Sequence, residues 1–138
     1  MSGKPYTKET IKPWGKELIL TSEDLPYVGK LIFVNAGARL SLQYHDQKSE
    51  TQCLIFGRAL LWLEDESEVM EKIIMEKERG YTIRPGRKHR LEGIEDAIIM
   101  EVSTPEIGTT YRVQDDYARP DETEEVRRQN NRGWNPAA

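Results

Sequence analysis

Residues 37–57, GARLSLQYHDQKSETQCLIFG, contain one of the chain's two histidines and read as two extended runs joined by a polar turn. In the first run Leu40, Leu42 and Tyr44 alternate with Arg39, Ser41, Gln43 and His45. Successive side chains of a strand point to opposite faces, so this spacing puts Gln43 and His45 side by side, with Arg39 on the same face. After the turn DQKS, Glu50 opens the second run and can fold back across from His45. An amide oxygen, an imidazole and a carboxylate then share one surface. The other histidine, His89, stands in a second strand-turn-strand segment, TIRPGRKHRLEG at residues 82–93, and would supply a fourth donor. Such a mixed nitrogen and oxygen set suits one divalent metal ion per chain, zinc first, with manganese, iron, nickel and cobalt also compatible.

Working outward, short runs of period two succeed one another with turn residues between them. Toward the N-terminus lie VGKLIFVNA (residues 28–36), the turn SEDLPY, and GKELILT (15–21), entered through Pro13-Trp14-Gly15. Toward the C-terminus lie RALLWLE (58–64), EVMEKIIMEKE (68–78), YTIR (81–84), KHRLEG (88–93), AIIMEVST (97–104) and TTYRVQDD (109–116). The segment 68–78 also fits a helix by the spacing of Val69, Ile73 and Ile74, but the return of the chain to Gly80 favours a hairpin strand. This succession predicts an all-β sandwich or barrel. The first dozen residues are polar and are expected to form an arm. Residues 118–138 are charged and poor in apolar side chains; they are expected to form a tail, with one short helix in DETEEVRRQ capped by Asp121. The domain organisation expected is therefore an arm at 1–12, one domain at 13–117 and a tail at 118–138.

A chain of 138 residues is long enough for one domain with a sizeable core and too short for two ordinary ones. The formal net charge of -4, with both signs mixed along the chain, leaves no electrostatic footprint for nucleic acid. No apolar run approaches the length of a membrane span, and the start MSGKPYTKE lacks a signal-peptide core, so a cytoplasmic protein without membrane contact is expected. The single cysteine, Cys53, has no partner for an internal disulfide and is expected to be a buried structural thiol in the run CLIF.

The spacing of Gly37, Gln43, His45, Glu50 and Gly57 resembles the first cupin motif, with glutamine where most cupins carry a histidine, and Gly86 with His89 resembles the core of the second. The strings ARLSLQ before His45, KHRLE around His89, KPWG at residues 12–15 and DDYAR at 115–119 are similar to one branch, the type II mannose-6-phosphate isomerase cupins. The same domain ends the bifunctional mannose-1-phosphate guanylyltransferases. Asp46 and Gln47 stand where that branch usually continues with histidines, Arg84 stands where the second motif has proline, and Gly93 replaces its asparagine. The resemblance implies a monocupin, a double-stranded β-helix or jelly roll, with Gln43, His45, Glu50 and His89 as metal ligands.

It also implies interconversion of mannose 6-phosphate and fructose 6-phosphate. That isomerisation needs a base, an acid and an electrophile beside the enediolate. With both histidines on the metal, the groups left near the motifs are Lys48, Glu92 and metal-bound water. Lys48 is placed as in the Gln-x-His-x-x-Lys of the related type I isomerases; a solvated turn lysine is the competing reading. The sugar phosphate would need cationic forks, for which Arg39 and Arg87 share faces with the ligands by alternation. Two other functions use such a scaffold: oxygen chemistry of the dioxygenase kind, and a sugar-binding module without turnover. Small cupins often pair, so a homodimer is expected.

Overall fold

The computed structural model describes residues 3–132 and Trp134. Met1, Ser2, Gly133 and residues 135–138, the ends of the expected arm and tail, lie outside the described residues. Among the described residues eleven strands and one short helix follow in the order β1 (Lys8–Lys12), β2 (Gly15–Ile19), β3 (Val28–Val34), β4 (Leu42–His45), β5 (Glu50–Phe56), β6 (Ala59–Glu64), β7 (Met70–Ile74), β8 (Gly80–Ile83), β9 (His89–Gly93), β10 (Ala97–Ser103), β11 (Thr110–Gln114) and α1 (Glu124–Arg127). They form two antiparallel sheets, β1-β2-β3-β10-β5-β8 and β11-β4-β9-β6-β7. This is the jelly roll of the cupin fold. Residues 68–78 make the hairpin strand β7 and not a helix, because Met70 to Ile74 ladder against Glu64 to Leu60 of β6.

Two segments of the expected arm and tail are tied to the body. Residues 8–12 pair with β2 from Lys8↔Ile19 to Lys12↔Gly15. Beyond β11 the chain turns back, and Glu122 and Thr110 exchange both backbone hydrogen bonds at 2.9 Å. The helix begins later than Asp121 would have started it. Its N-cap is Thr123, whose hydroxyl accepts from the Val126 N–H, because the Asp121 carboxylate already accepts from the Arg112 N–H at 2.8 Å and Glu122 is held in the bridge to Thr110.

The inward positions of the strands change character along their length. In β3 they run Val34, Ile32, Lys30; in β10, Ala97, Ile99, Glu101; in β5, Leu54, Gln52, Glu50; in β9, Leu91, His89. All eleven are buried. The registers align these series, with Ile99 opposite Ile32 and Leu54, and Glu101 opposite Lys30 and Gln52. One end of the barrel is consequently filled by a conventional core of Trp14, Ile32, Val34, Leu54, Ala59, Leu61, Met75, Ile83, Leu91, Ala97 and Ile99. The other end holds buried ionisable groups. The same period places Cys53 outward, where it is half-buried and not part of the core as the sequence suggested.

Candidate metal centre

His45 ends β4, Glu50 opens β5 and His89 opens β9, so three strand termini meet at the ionisable end of the barrel. Gln43 is directly opposite His89 in the β4–β9 pairing and lines the same interior. Donor atoms of His45, Glu50 and His89 all lie within 4.8 Å of one another, and all three residues are buried. Both imidazole Nε2 atoms converge on one oxygen, Glu50 Oε1, at 3.0 Å from His45 and 2.8 Å from His89.

The outer nitrogens fix the rings. His89 Nδ1 lies 2.9 Å from the Arg87 carbonyl, which can only accept, so Nδ1 carries the proton and Nε2 of the neutral ring is a bare lone pair. That lone pair faces a carboxylate oxygen without the alignment of a hydrogen bond and is left unsatisfied in the interior. A buried acceptor aimed at another acceptor is costly unless a cation lies between them. Apart from a proton on His89, a divalent ion is the species that satisfies all three groups together, and the donor set fits one. His45 Nδ1 is 2.8 Å from the Thr110 hydroxyl, an orienting partner that no local motif in the sequence disclosed.

Burial pushes the His45 pKa down, outweighing the attraction of Glu50. At His89 burial acts in the same sense, but the Glu50 carboxylate prevails and raises the pKa. Burial opposes the charge of Glu50, yet Lys48 and the two histidines hold its pKa well below the ordinary carboxylate range. Glu101, buried beside Glu50, is pushed up to about 7.

Lys48 is no solvated turn residue. Its side chain is buried, with Nζ 3.1 Å from Glu101 Oε2 and 3.5 Å from Glu50 Oε2. Behind it, Lys30 Nζ sits at 3.3 Å from each of Glu17, Glu101 and Glu106. Burial opposes the charge of Lys30, but Glu101, Glu17 and Glu106 raise its pKa well above the usual lysine value.

The remaining expected residues lie elsewhere. Arg39 forms an ion pair with Asp116 at 2.6 and 2.9 Å on the outer surface. Leu40 packs on the core and Ser41 is buried, so both turn inward, the alternation fails before Leu42, and Arg39 is carried to the outside. Glu92 accepts from the Trp62 indole at 3.0 Å on that outer face, one position out of phase with His89 and Leu91. The Arg87 guanidinium donates to the Asp65 carbonyl in the β6–β7 turn at 2.9 Å, and only its backbone carbonyl serves the site. The structure thus brings together Gln43, His45, Lys48, Glu50 and His89, and separates Arg39, Arg87 and Glu92 from them.

The family described as mannose-6-phosphate isomerase C-terminal matches residues 3–122, which include every residue of this cluster. The chain belongs to that family. No curated protein matches the chain significantly. Among solved structures, a variant of oxalate decarboxylase from Bacillus subtilis is 19% identical at a TM-score of 0.64, over 76% of this chain and 30% of that one. The same enzyme at pH 4.6 is 18% identical at a TM-score of 0.69, over 82% of this chain and 32% of that one. The capsular polysaccharide assembling protein CapF from Staphylococcus aureus is 11% identical at a TM-score of 0.67, over 82% and 33%. At such identities the likeness shows the cupin fold, and this member of the mannose-6-phosphate isomerase C-terminal family spans about a third of each neighbour. Among the described residues no helix is long and apolar enough to cross a membrane.

Proposed function

We propose that the chain is a metal-dependent sugar-phosphate isomerase that interconverts mannose 6-phosphate and fructose 6-phosphate. The observation that carries this reading is the unsatisfied His89 Nε2 facing Glu50 inside a family match that spans the whole site. His45, Glu50 and His89 would hold the ion, with Gln43 beside His89. Zinc remains the first choice, and oxalate decarboxylase, which has Mn(II) centres, puts manganese next to it. When bound, the ion supplies Lewis acidity at a sugar oxygen.

The chain's own residues supply the proton chemistry. Although burial opposes it, the Glu101 carboxylate keeps the Lys48 ammonium protonated, so Lys48 acts as a cation beside the enediolate oxygens and not as the base. Glu101, with a pKa of about 7, accepts and returns a proton near neutral pH and replaces Glu92 in that role. A phosphorylated substrate is consistent with the cytoplasmic location expected from the sequence. A second reading, a binding module without turnover, is favoured by the small interior volume of about 60 Å³. Mannose 6-phosphate isomerisation is expected to survive anaerobic assay and to be lost on chelation. Oxygen uptake would instead mark the dioxygenase alternative, and ligand binding without turnover the module.

The reading includes a homodimer. On the outer face of the larger sheet, β3 presents Leu31 and Phe33, β10 Ile98, Met100 and Val102, and β5 Thr51, Cys53 and Ile55, with no charge among them. Phe56, opposite Ile98, extends this face and is 57% exposed, and Lys16 borders it over the Phe33 ring. An uncharged patch of this extent marks an interaction surface. Met100→Lys is expected to shift the mass in solution from dimer to monomer; a monomeric parent at micromolar concentration refutes the dimer.

A further inference from the structure

The interior next to the histidines has room for a few waters and not for a metabolite, at about 60 Å³. Directly outside it lies a cleft of about 690 Å³, within the size range of small-molecule sites. Glu106 and Arg132 line both spaces and form the partition between them. The cleft lies at the ionisable end of the barrel, bounded by Tyr6 and Lys8 on one side and by residues 127–132 on the other.

The partition is held by charge. Arg127 donates to the carbonyls of Glu106 and Gly108 at 3.2 and 3.1 Å and pairs with Glu122 at 3.2 Å. Arg132 pairs with Glu106 at 3.0 Å and Glu122 at 3.4 Å. The helix that ends at Arg127 buries no residue. The side chains of these pairs are 8–17% exposed, but the segment has no buried apolar side, so it opens at smaller cost than the strands of the barrel, and salt weakens its ionic fastening. The family match stops at residue 122, so both arginines lie beyond it.

We propose that residues 123–132 are a strap across the mouth of the barrel, and that the cleft they border is the entry site for a phosphate monoester. Arg127 and Arg132 exchange Glu106 and Glu122 for the phosphate oxygens, a bidentate partner of higher charge, and the exchange frees the passage toward His45 and His89. Lys8, which pairs with Glu23, and Arg128 also border the cleft, and with Arg127 and Arg132 they leave its lining one positive charge in excess over Glu23, Glu106 and Glu124. The gate follows from the geometry alone; the ligand class rests on the isomerase reading.

The test uses the two histidines, 5% and 2% exposed, as reporters in the full-length metal-free chain. Their carbethoxylation by diethyl pyrocarbonate is followed by mass spectrometry, and mannose 6-phosphate binding is measured by calorimetry. The parent is expected to react slowly, and faster as salt rises. Arg127→Ala with Arg132→Ala should react at least about tenfold faster and bind mannose 6-phosphate at least about tenfold more weakly. Arg58→Ala, which breaks only an exposed pair with Glu95, should match the parent. Histidines equally reactive in parent and double variant overturn the strap, as does a parent rate indifferent to salt, an arm that needs no variant to fold. Unchanged or absent mannose 6-phosphate binding overturns the entry site. Both arms as expected but no turnover counts against the isomerase reading alone.

Discussion

Replacing His45 and His89 together by alanine is expected to abolish metal binding, taking the chain from about one divalent ion to none by elemental analysis, and isomerase activity with it. Each histidine supplies one nitrogen to the same side of Glu50 Oε1. Without them a single carboxylate and the Gln43 amide remain, which is the donor set of an exposed surface and holds no ion through gel filtration. The loss in affinity should exceed about a hundredfold, since altering even an orienting partner of a metal-bound histidine costs 10–100-fold. Folding should survive the change. The unsatisfied His89 Nε2 that opposes a carboxylate is removed with the His45 hydrogen bond, and Lys48 remains 3.5 Å from Glu50 to neutralise it. Metal equally retained by the variant, or absent from the parent, would refute the site.

The pH dependence of the parent separates a bound metal from a proton in the same place. In the metal-free chain the raised pKa of His89 stabilises the fold fully below the unfolded histidine value of about 6.5, and this contribution is lost as pH rises through the higher folded value. A metal competes with that proton. The excess thermal stability of the loaded over the metal-free chain is accordingly a quantity that grows with pH across this window.

Much of this site was legible because its ligands are local in sequence. Gln43, His45 and Glu50 lie on two consecutive strands joined by one short turn, and alternation along β4 and β5 is enough to turn them inward although the strands belong to opposite sheets. The series Lys30-Ile32-Val34 and Ala97-Ile99-Glu101 carried a further signal: a charge on the inward phase of an otherwise apolar strand has to meet an opposite charge across the barrel. Which partners meet is a matter of register between distant strands. The ion pair of Lys48 with Glu101, at a separation of 53 residues, could not be read from the turn that contains Lys48. Arg39 was misplaced for the opposite reason, because regular alternation was extended through Leu40 and Ser41, where the backbone is not yet a strand. Asp121 satisfied the local rule for an N-cap, but its carboxylate is taken by the Arg112 backbone of the neighbouring strand. Local periodicity thus sets the face of each side chain, while tertiary hydrogen bonds decide where periodicity starts.

Lys30→Met is expected to be among the most destabilising single changes in the chain, by about 3–5 kcal/mol in urea denaturation at pH 7, because it removes a cation shared by three buried carboxylates. Lys30 Nζ is the common partner of Glu17, Glu101 and Glu106, and no carboxylate is lost with it. Methionine conserves the volume, so a smaller loss would mean that packing and not charge holds this end of the barrel. The charge argument has a signature in pH. Burial raises the Glu17 pKa, but Lys30 and Lys12 together outweigh it and lower the value from 4.5 to about 2. A depressed carboxylate pKa contributes stability above the unfolded value and loses it as pH falls toward the folded one. The parent should therefore lose this contribution between pH 4.5 and about 2. The variant, in which only Lys12 and Arg132 are left to offset the burial of Glu17, has less to lose there. The gap between the two denaturation curves should be widest above pH 4.5 and narrow steadily below it, and a gap independent of pH over that range would refute the ionic account of the barrel mouth.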